Sequence, residues 1–237
     1  MIGVQNLGHN EIVTILGSEI LNGVYRPGTI LPSETDLRYR FGVSRVVVRE
    51  VIKTLSAKGL VAAKSRVGTR VLDPRNWNFF DAGLLTWRMR MGLDEDFRMS
   101  LTEVRRAIEP YAAALAAQRR TDTDVSALRE QVELMATPNH TRHSFAKVDL
   151  EFHLRVGEAS GNPLMRSMSG VIDTALTASC YKSSAVDDLN DLRGTVQIHS
   201  AIVDAIEARD EGAAAVAMLE AIDIGNRRIN KVLNKRR

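Results

Sequence analysis

Apolar residues recur at helical spacing along most of the chain, and they change to short runs in one place only. Ile12, Ile15, Leu16, Ile20 and Leu21 predict a helix over residues 10–23 that Gly23 ends. A proline-glycine turn follows at Tyr25-Arg26-Pro27-Gly28. From Leu31 to Arg49 the pattern reads as two helices about a tight turn. Ser33 is placed to cap the first, with Glu34 and Asp36 where carboxylates suit the positive end of the helix dipole, and Leu37 and Phe41 on one face. Gly42 stops it. Ser44 then caps a helix whose Val48, Val51, Ile52 and Leu55 form an apolar stripe, while Arg45 and Arg49 project together from another face. Beyond Gly59, Leu60–Ala63 and Thr69–Leu72 predict two short strands, and Lys64–Gly68 between them makes a basic hairpin tip. Three helices and a hairpin in this order make a winged helix-turn-helix, a layout that places its second motif helix in the DNA major groove.

Asp73-Pro74-Arg75-Asn76 is a polar turn and marks a boundary. The stretch from Trp77 to Trp87 is rich in aromatics and predicts a short helix that docks the two domains by apolar burial. From Phe97 to Lys231 the helical period returns again and again: Leu101 to Leu115, Val125 to Met135, Phe145 to Ala159, Met165 to Tyr181, Val196 to Glu207 and Ala213 to Val232. No alternating pattern interrupts it. The expected fold is mainly α, with a winged helix-turn-helix domain at 1–74, a linker and docking helix at 75–96, and an all-α bundle at 97–237.

Charge sharpens the first domain. Residues 35–70 hold nine Lys and Arg against two acids, a net charge of +7, whereas the whole chain carries +3. A basic concentration on a helix-turn-helix is the electrostatic footprint of nucleic-acid binding. The lone Cys180 cannot form an internal disulfide and is expected to pack as a small hydrophobe. Without a signal-peptide pattern or an apolar run long enough to span a bilayer, the expected location is the cytoplasm, with no membrane partner.

Candidate chemistry gathers in the bundle. Asp149 and His153, four apart on a helix, share a face, and His199 could join them from a neighbouring helix. Imidazole nitrogens and a carboxylate suit Zn²⁺, Ni²⁺, Mn²⁺ or Fe²⁺. An ordinary Asp–His pair on a helix surface fits the spacing as well. Arg105 is either a fork for a carboxylate or a solvated charge. Asn162, in Gly161-Asn162-Pro163, is either a pocket donor or a turn former, and His140 and His143 are expected in a solvated polar loop.

Read as an ordered set, Gly23 to Gly28, Leu31-Pro32-Ser33-Glu34, Phe41 to Arg45, Val48-Arg49-Glu50, Leu55, Gly59-Leu60-Val61 and Gly68-Thr69 resemble the N-terminal domain of the GntR family of bacterial transcription regulators. Thr35 departs from it, since relatives often have Arg there, and Arg38 or Arg40 can stand in. Glu103 to Glu109, Asp149 with Phe152-His153, Ala159 to Pro163 and His199 to Ile202 resemble the helical effector domain of its FadR-type branch. This implies a metal held by Asp149, His153 and His199, with Zn²⁺ first and Ni²⁺, Mn²⁺ or Fe²⁺ as alternatives. Such domains often supply a fourth ligand, but here Ala221 stands at that position, which implies a weaker hold. The resemblance also places Arg105 toward the pocket. The linker Trp77 to Asp81 with Leu85 to Trp87 is similar to the branch that includes galactonate operon repressors, which implies a sugar acid such as an aldonate.

These readings predict a regulator, with repression as the expected sign, that binds palindromic operator DNA as a homodimer and lets go when a small carboxylic acid enters the bundle. The DNA-contacting set would be Ser33, Thr35, Arg38, Arg40, Ser44, Arg45, Arg49, Lys53, Arg66 and Gly68, and the effector-binding set Arg105 and Asn162. No catalytic residue is expected. The alternative is a metal-dependent enzyme acting on a small acid, with an appended basic DNA-binding module.

Overall fold

The computed structural model describes residues 7–91, 95–168, 171 and 184–234. Cys180, most of the Met165–Tyr181 stretch and the basic C-terminus lie outside them. The chain divides into two compact units between residues 92 and 93.

The first unit contains helices α1 (His9–Leu21), α2 (Glu34–Phe41) and α3 (Arg45–Ala57), strands β1 (Val61–Lys64) and β2 (Gly68–Val71), and helix α4 (Ala82–Arg90). Local chemistry sets the boundaries. The Ser33 hydroxyl accepts from the Asp36 amide at 3.2 Å, and the Asp36 carboxylate accepts in return from the Ser33 amide at 3.1 Å. Gly42 ends α2 in the left-handed region at φ 65°, where a side chain would be strained. Strands β1 and β2 pair antiparallel with Val61 opposite Val71, and Arg66 at φ 61° turns the hairpin between them. Ile12, Leu16, Leu37, Val51, Leu55 and Val71 fill the core, each at 1% exposure or less. Full burial stabilises by about 1.5–3 kcal/mol per large aliphatic side chain.

The short helix expected in the aromatic stretch is α4, and its Leu84 and Trp87 join this same core. Gly17 of α1 makes that seat, because a Cβ there would overlap the Trp87 ring. Glycine costs about 1 kcal/mol inside a helix. The close approach of the indole explains why it is used. Lys58 closes the arrangement, 2.6 Å from Asp81 and over the face of Trp87.

The second unit is helical: α5 (Glu95–Arg119), α6 (Asp122–Ala136), α7 (Arg142–Ala159), the short α8 (Pro163–Ser167), α9 (Leu189–Glu207) and α10 (Glu211–Asn234). Helix α5 packs along α10 and α7, and α9 along α10 and α6. Leu128, Met135, Phe152, Ile202, Ile206 and Met218 are fully buried between them. No described helix is long and apolar enough to cross a membrane.

Candidate functional site

On the first unit the predicted arginines meet around one acid. Arg45 Nε lies 2.9 Å from a Glu34 carboxylate oxygen and Arg49 Nε 3.2 Å from the other. Hydrogen bonding from Arg45, with help from Arg49, holds the Glu34 carboxyl below its usual range. Both arginine side chains remain more than half exposed. Ser33 and Ser44 are helix caps, Thr35 and Arg38 are exposed on α2, and Lys53 pairs with Glu50 at 2.7 Å. Arg66 forms the tip of the hairpin, and Gly68 starts β2 at φ 104°. Arg40 stands apart from this group. Its guanidinium grips the Glu19 carboxylate of α1 and donates to the Tyr25 hydroxyl at 3.2 Å, which ties α2 to the preceding helix and turn.

In the second unit Asp149, His153 and His199 converge, their ligand atoms all within 4.8 Å of one another and all three residues buried. His199 Nδ1 donates to the Thr195 carbonyl at 2.7 Å. A carbonyl only accepts, so the proton sits on Nδ1 and Nε2 presents a lone pair. That lone pair lies 3.1 Å from Asp149 Oδ1 and has no hydrogen-bond donor. His153 is arranged alike. Its Nδ1 is 2.5 Å from a Glu109 carboxylate oxygen, which leaves Nε2 facing Asp149 at 3.9 Å. Two imidazole nitrogens and a carboxylate turned toward one point are a donor set that fits a divalent metal. Phe152 packs edge-on against both rings, with centroid distances of 4.7 Å to His199 and 5.8 Å to His153, and fixes their orientation.

The charges agree. Burial opposes ionisation of Asp149, yet the neighbouring His199, His153 and Arg105 outweigh it and bring its pKa to about 2. Burial likewise opposes ionisation of Glu109, but Arg105 and His153 hold it at about 2. Arg105 is buried and not solvated. Its Nε donates to Glu109 at 2.5 Å, and its Nη2 lies 3.4 Å from His153 Nε2. Asp149, His153, His199 and Arg105 line a cavity that also takes in Thr195, Ala221, Gly225, Asn226 and Arg228. Ala221, at the position where the resemblance leads one to expect a fourth ligand, is one of the lining residues.

Asn162 is not part of this lining. Its Oδ1 accepts from the Leu164 amide at 3.0 Å and caps α8, so the turn-forming alternative holds there. His140 lies in the loop before α7, half-buried, where Nε2 meets the Leu134 carbonyl at 2.8 Å and Nδ1 the Ser144 hydroxyl at 3.0 Å. His143 is exposed, as expected. Two functional candidates escape a reading of the sequence. Glu109 backs both Arg105 and His153, and its i, i+4 spacing from Arg105 was the available signal. Arg98, two turns before Arg105, is buried in the cavity wall and carries no signal of its own.

Comparison with known proteins agrees with both units. Residues 9–71 match the model of the bacterial regulatory proteins of the gntR family, and residues 100–223 match the FCD domain. The chain is 32% identical to the galactonate operon transcriptional repressor of Escherichia coli K12, over 94% of this chain and 97% of that protein. It is 39% identical to YieP, an uncharacterized HTH-type transcriptional regulator of the same organism, over 84% of this chain and 85% of the other. Among solved structures it resembles a GntR protein of Streptococcus agalactiae, with a TM-score of 0.51 and 25% identity over 92% of this chain and 99% of that one. A basic winged reader and a helical effector domain on one chain define a ligand-responsive, DNA-binding transcription regulator. The chain belongs to the GntR family and carries the FCD effector domain of its FadR-type branch. The enzyme alternative finds no support among these relatives.

Proposed function

We propose that this regulator represses a sugar-acid catabolic operon and releases its operator when an aldonate-like acid occupies the cavity. The observation that carries this reading is the buried meeting of Asp149, His153 and His199 beside Arg105, on a chain that also bears a basic winged reader. The name of the galactonate repressor supports the choice of ligand class.

On the DNA side, Arg45 and Arg49 exchange Glu34 for guanine edges or adjacent phosphates in the major groove. Arg66 and the backbone at Gly68 set the hairpin in or beside the minor groove, while Arg38, Lys53 and the α2 positions Ser33 and Thr35 face phosphates. Ser44 adds its cap at the start of the reading helix. Arg40 acts through the fold, since its charge is already taken by Glu19. One short reading helix covers few base pairs, so a two-fold homodimer on palindromic half-sites supplies the specificity.

On the effector side, Asp149, His153 and His199 would hold a divalent ion, with Zn²⁺ the first choice for this donor set, and the ion would offer a Lewis-acid site to carboxylate or hydroxyl oxygens. Glu109 and the Thr195 carbonyl keep the two imidazoles in the ligand-ready tautomer. Arg105 sets a cation beside that position for the acid's carboxylate.

The test titrates the full chain with D-galactonate while following its melting temperature and its retention of operator DNA in a gel shift. A ligand of the folded state raises the melting temperature. The expected result is a rise accompanied by release of DNA, with both effects lost in His153→Ala together with the metal found by elemental analysis. No shift with any aldonate or uronate removes the ligand class.

A further inference from the structure

We infer that the effector carries a second acidic group, bound by Arg98 at the end of the cavity away from the metal-type triad. This rests on the sensor reading above and moves its ligand from an aldonate to the dicarboxylic form of such a sugar acid.

Among the described residues, the arginines of the cavity wall have carboxylate partners, with Arg98 the exception. Arg105 has Glu109 as a carboxylate partner, with its Nε at 2.5 Å, and turns Nη2 toward the triad, 3.4 Å from His153 Nε2. Arg228 has Asp191 at 3.4 Å and donates to the Thr195 hydroxyl at 2.7 Å. Arg98 is only 3% exposed, and no carboxylate pairs with it among the described residues. Its partners among the described residues are neutral: Asn226 Oδ1 at 2.6 Å, Asn230 Oδ1 at 2.9 Å and the Met99 sulfur at 3.6 Å. A guanidinium has five N–H donors, and here Nε is buried with no acceptor.

A buried charge without a counter-charge costs several kcal/mol, roughly what full desolvation of an ion requires in proteins, and it is seldom tolerated without a purpose. The two asparagines orient the head while leaving its charge unspent. That is the arrangement of a waiting anion site, and it opens on the same cavity as the triad.

Spacing sets the ligand's shape. Arg98 and Arg105 lie seven residues apart on one helix, about 10 Å along its axis at roughly 1.5 Å per residue, and both line the cavity. A ligand that meets both ends is therefore elongated, with an acidic group at each end and hydroxyls between for Thr195 and Asn226. A six-carbon aldarate has this form.

The deciding pair of probes is D-galactonate and galactarate, which share a carbon skeleton and differ only in whether the far carbon is a hydroxymethyl or a carboxylate. Thermal-shift titrations on the full wild-type chain should show galactarate binding about 10- to 100-fold more tightly, the range for a hydrogen-bonded charge. Arg98→Gln should erase that preference and leave galactonate affinity within about threefold, while Arg98→Lys, which keeps the charge, should retain a preference of the same sign. Equal binding of both acids to wild type overturns the second site and leaves the sensor reading standing, and needs no variant to fold. Equal weakening of both acids in Arg98→Gln assigns Arg98 to the fold and also overturns it. If neither acid binds, the sugar-acid reading itself falls.

Discussion

The two units use the same device, an arginine held by a glutamate, in opposite surroundings. In the reader, Glu34 holds Arg45 and Arg49 in the open, where water competes and both arginine side chains stay more than half exposed. In the sensor, Glu109 holds Arg105 with both side chains under 10% exposed. Exposed ion pairs are worth about 0–1 kcal/mol, so DNA phosphates or guanines can take the arginines from Glu34 at little cost. Buried pairs are different, because removing one partner strands a charge in a medium that cannot solvate it. The first arrangement is a holster and the second a brace.

The largest expected effect tests the brace. Glu109→Ala should destabilise the second unit by about 3–5 kcal/mol, followed by helical circular dichroism in urea, because it leaves Arg105 buried without a counter-charge and His153 without its orienting acceptor. A loss no greater than that of the equivalent Glu34 change would erase the contrast between the units. Next come the arginines themselves. Arg45→Ala or Arg49→Ala should weaken operator binding by about 1–3 kcal/mol in gel shift and leave the helical dichroism intact. Unchanged retention would remove these side chains from the reading set. The smallest effect sharpens the holster: Glu34→Gln should change stability by less than about 1 kcal/mol and leave operator affinity equal or tighter. Weaker binding would mean that Glu34 must keep its charge to aim the arginines on the DNA.

What could be read from the sequence follows how local each feature is. Ser33, Gly42 and Ser44 act on their own backbone within a few residues, so the helix ends they set were legible at once. Asp149 and His153 were legible as a pair because one helix turn joins them, whereas His199 needed the family resemblance to be placed beside them. Arg40 falls in the expected DNA-contacting set because its partner Glu19 lies 21 residues back, on another helix, where local spacing does not reveal it. Arg98 finds Asn226 across 128 residues, and no local pattern distinguishes it from a solvated charge. Burial of a charged side chain is decided by what folds over it, and spacing within its own helix carries no trace of that. The cost of Gly17 is likewise unreadable until Trp87 is seen lying on it.

That seat gives the protein a built-in spectroscopic reporter. The chain has two tryptophans, Trp77 and Trp87, and both belong to the first unit. Trp77 donates its indole N–H to the Leu72 carbonyl at 3.1 Å, while Trp87 is buried against α1 under the Lys58 ammonium. Tryptophan emission, excited where tyrosine does not absorb, therefore comes from the first unit. An emission change when an acid enters the second unit is a signal that has crossed from one unit to the other, and its timing measures how fast the news travels.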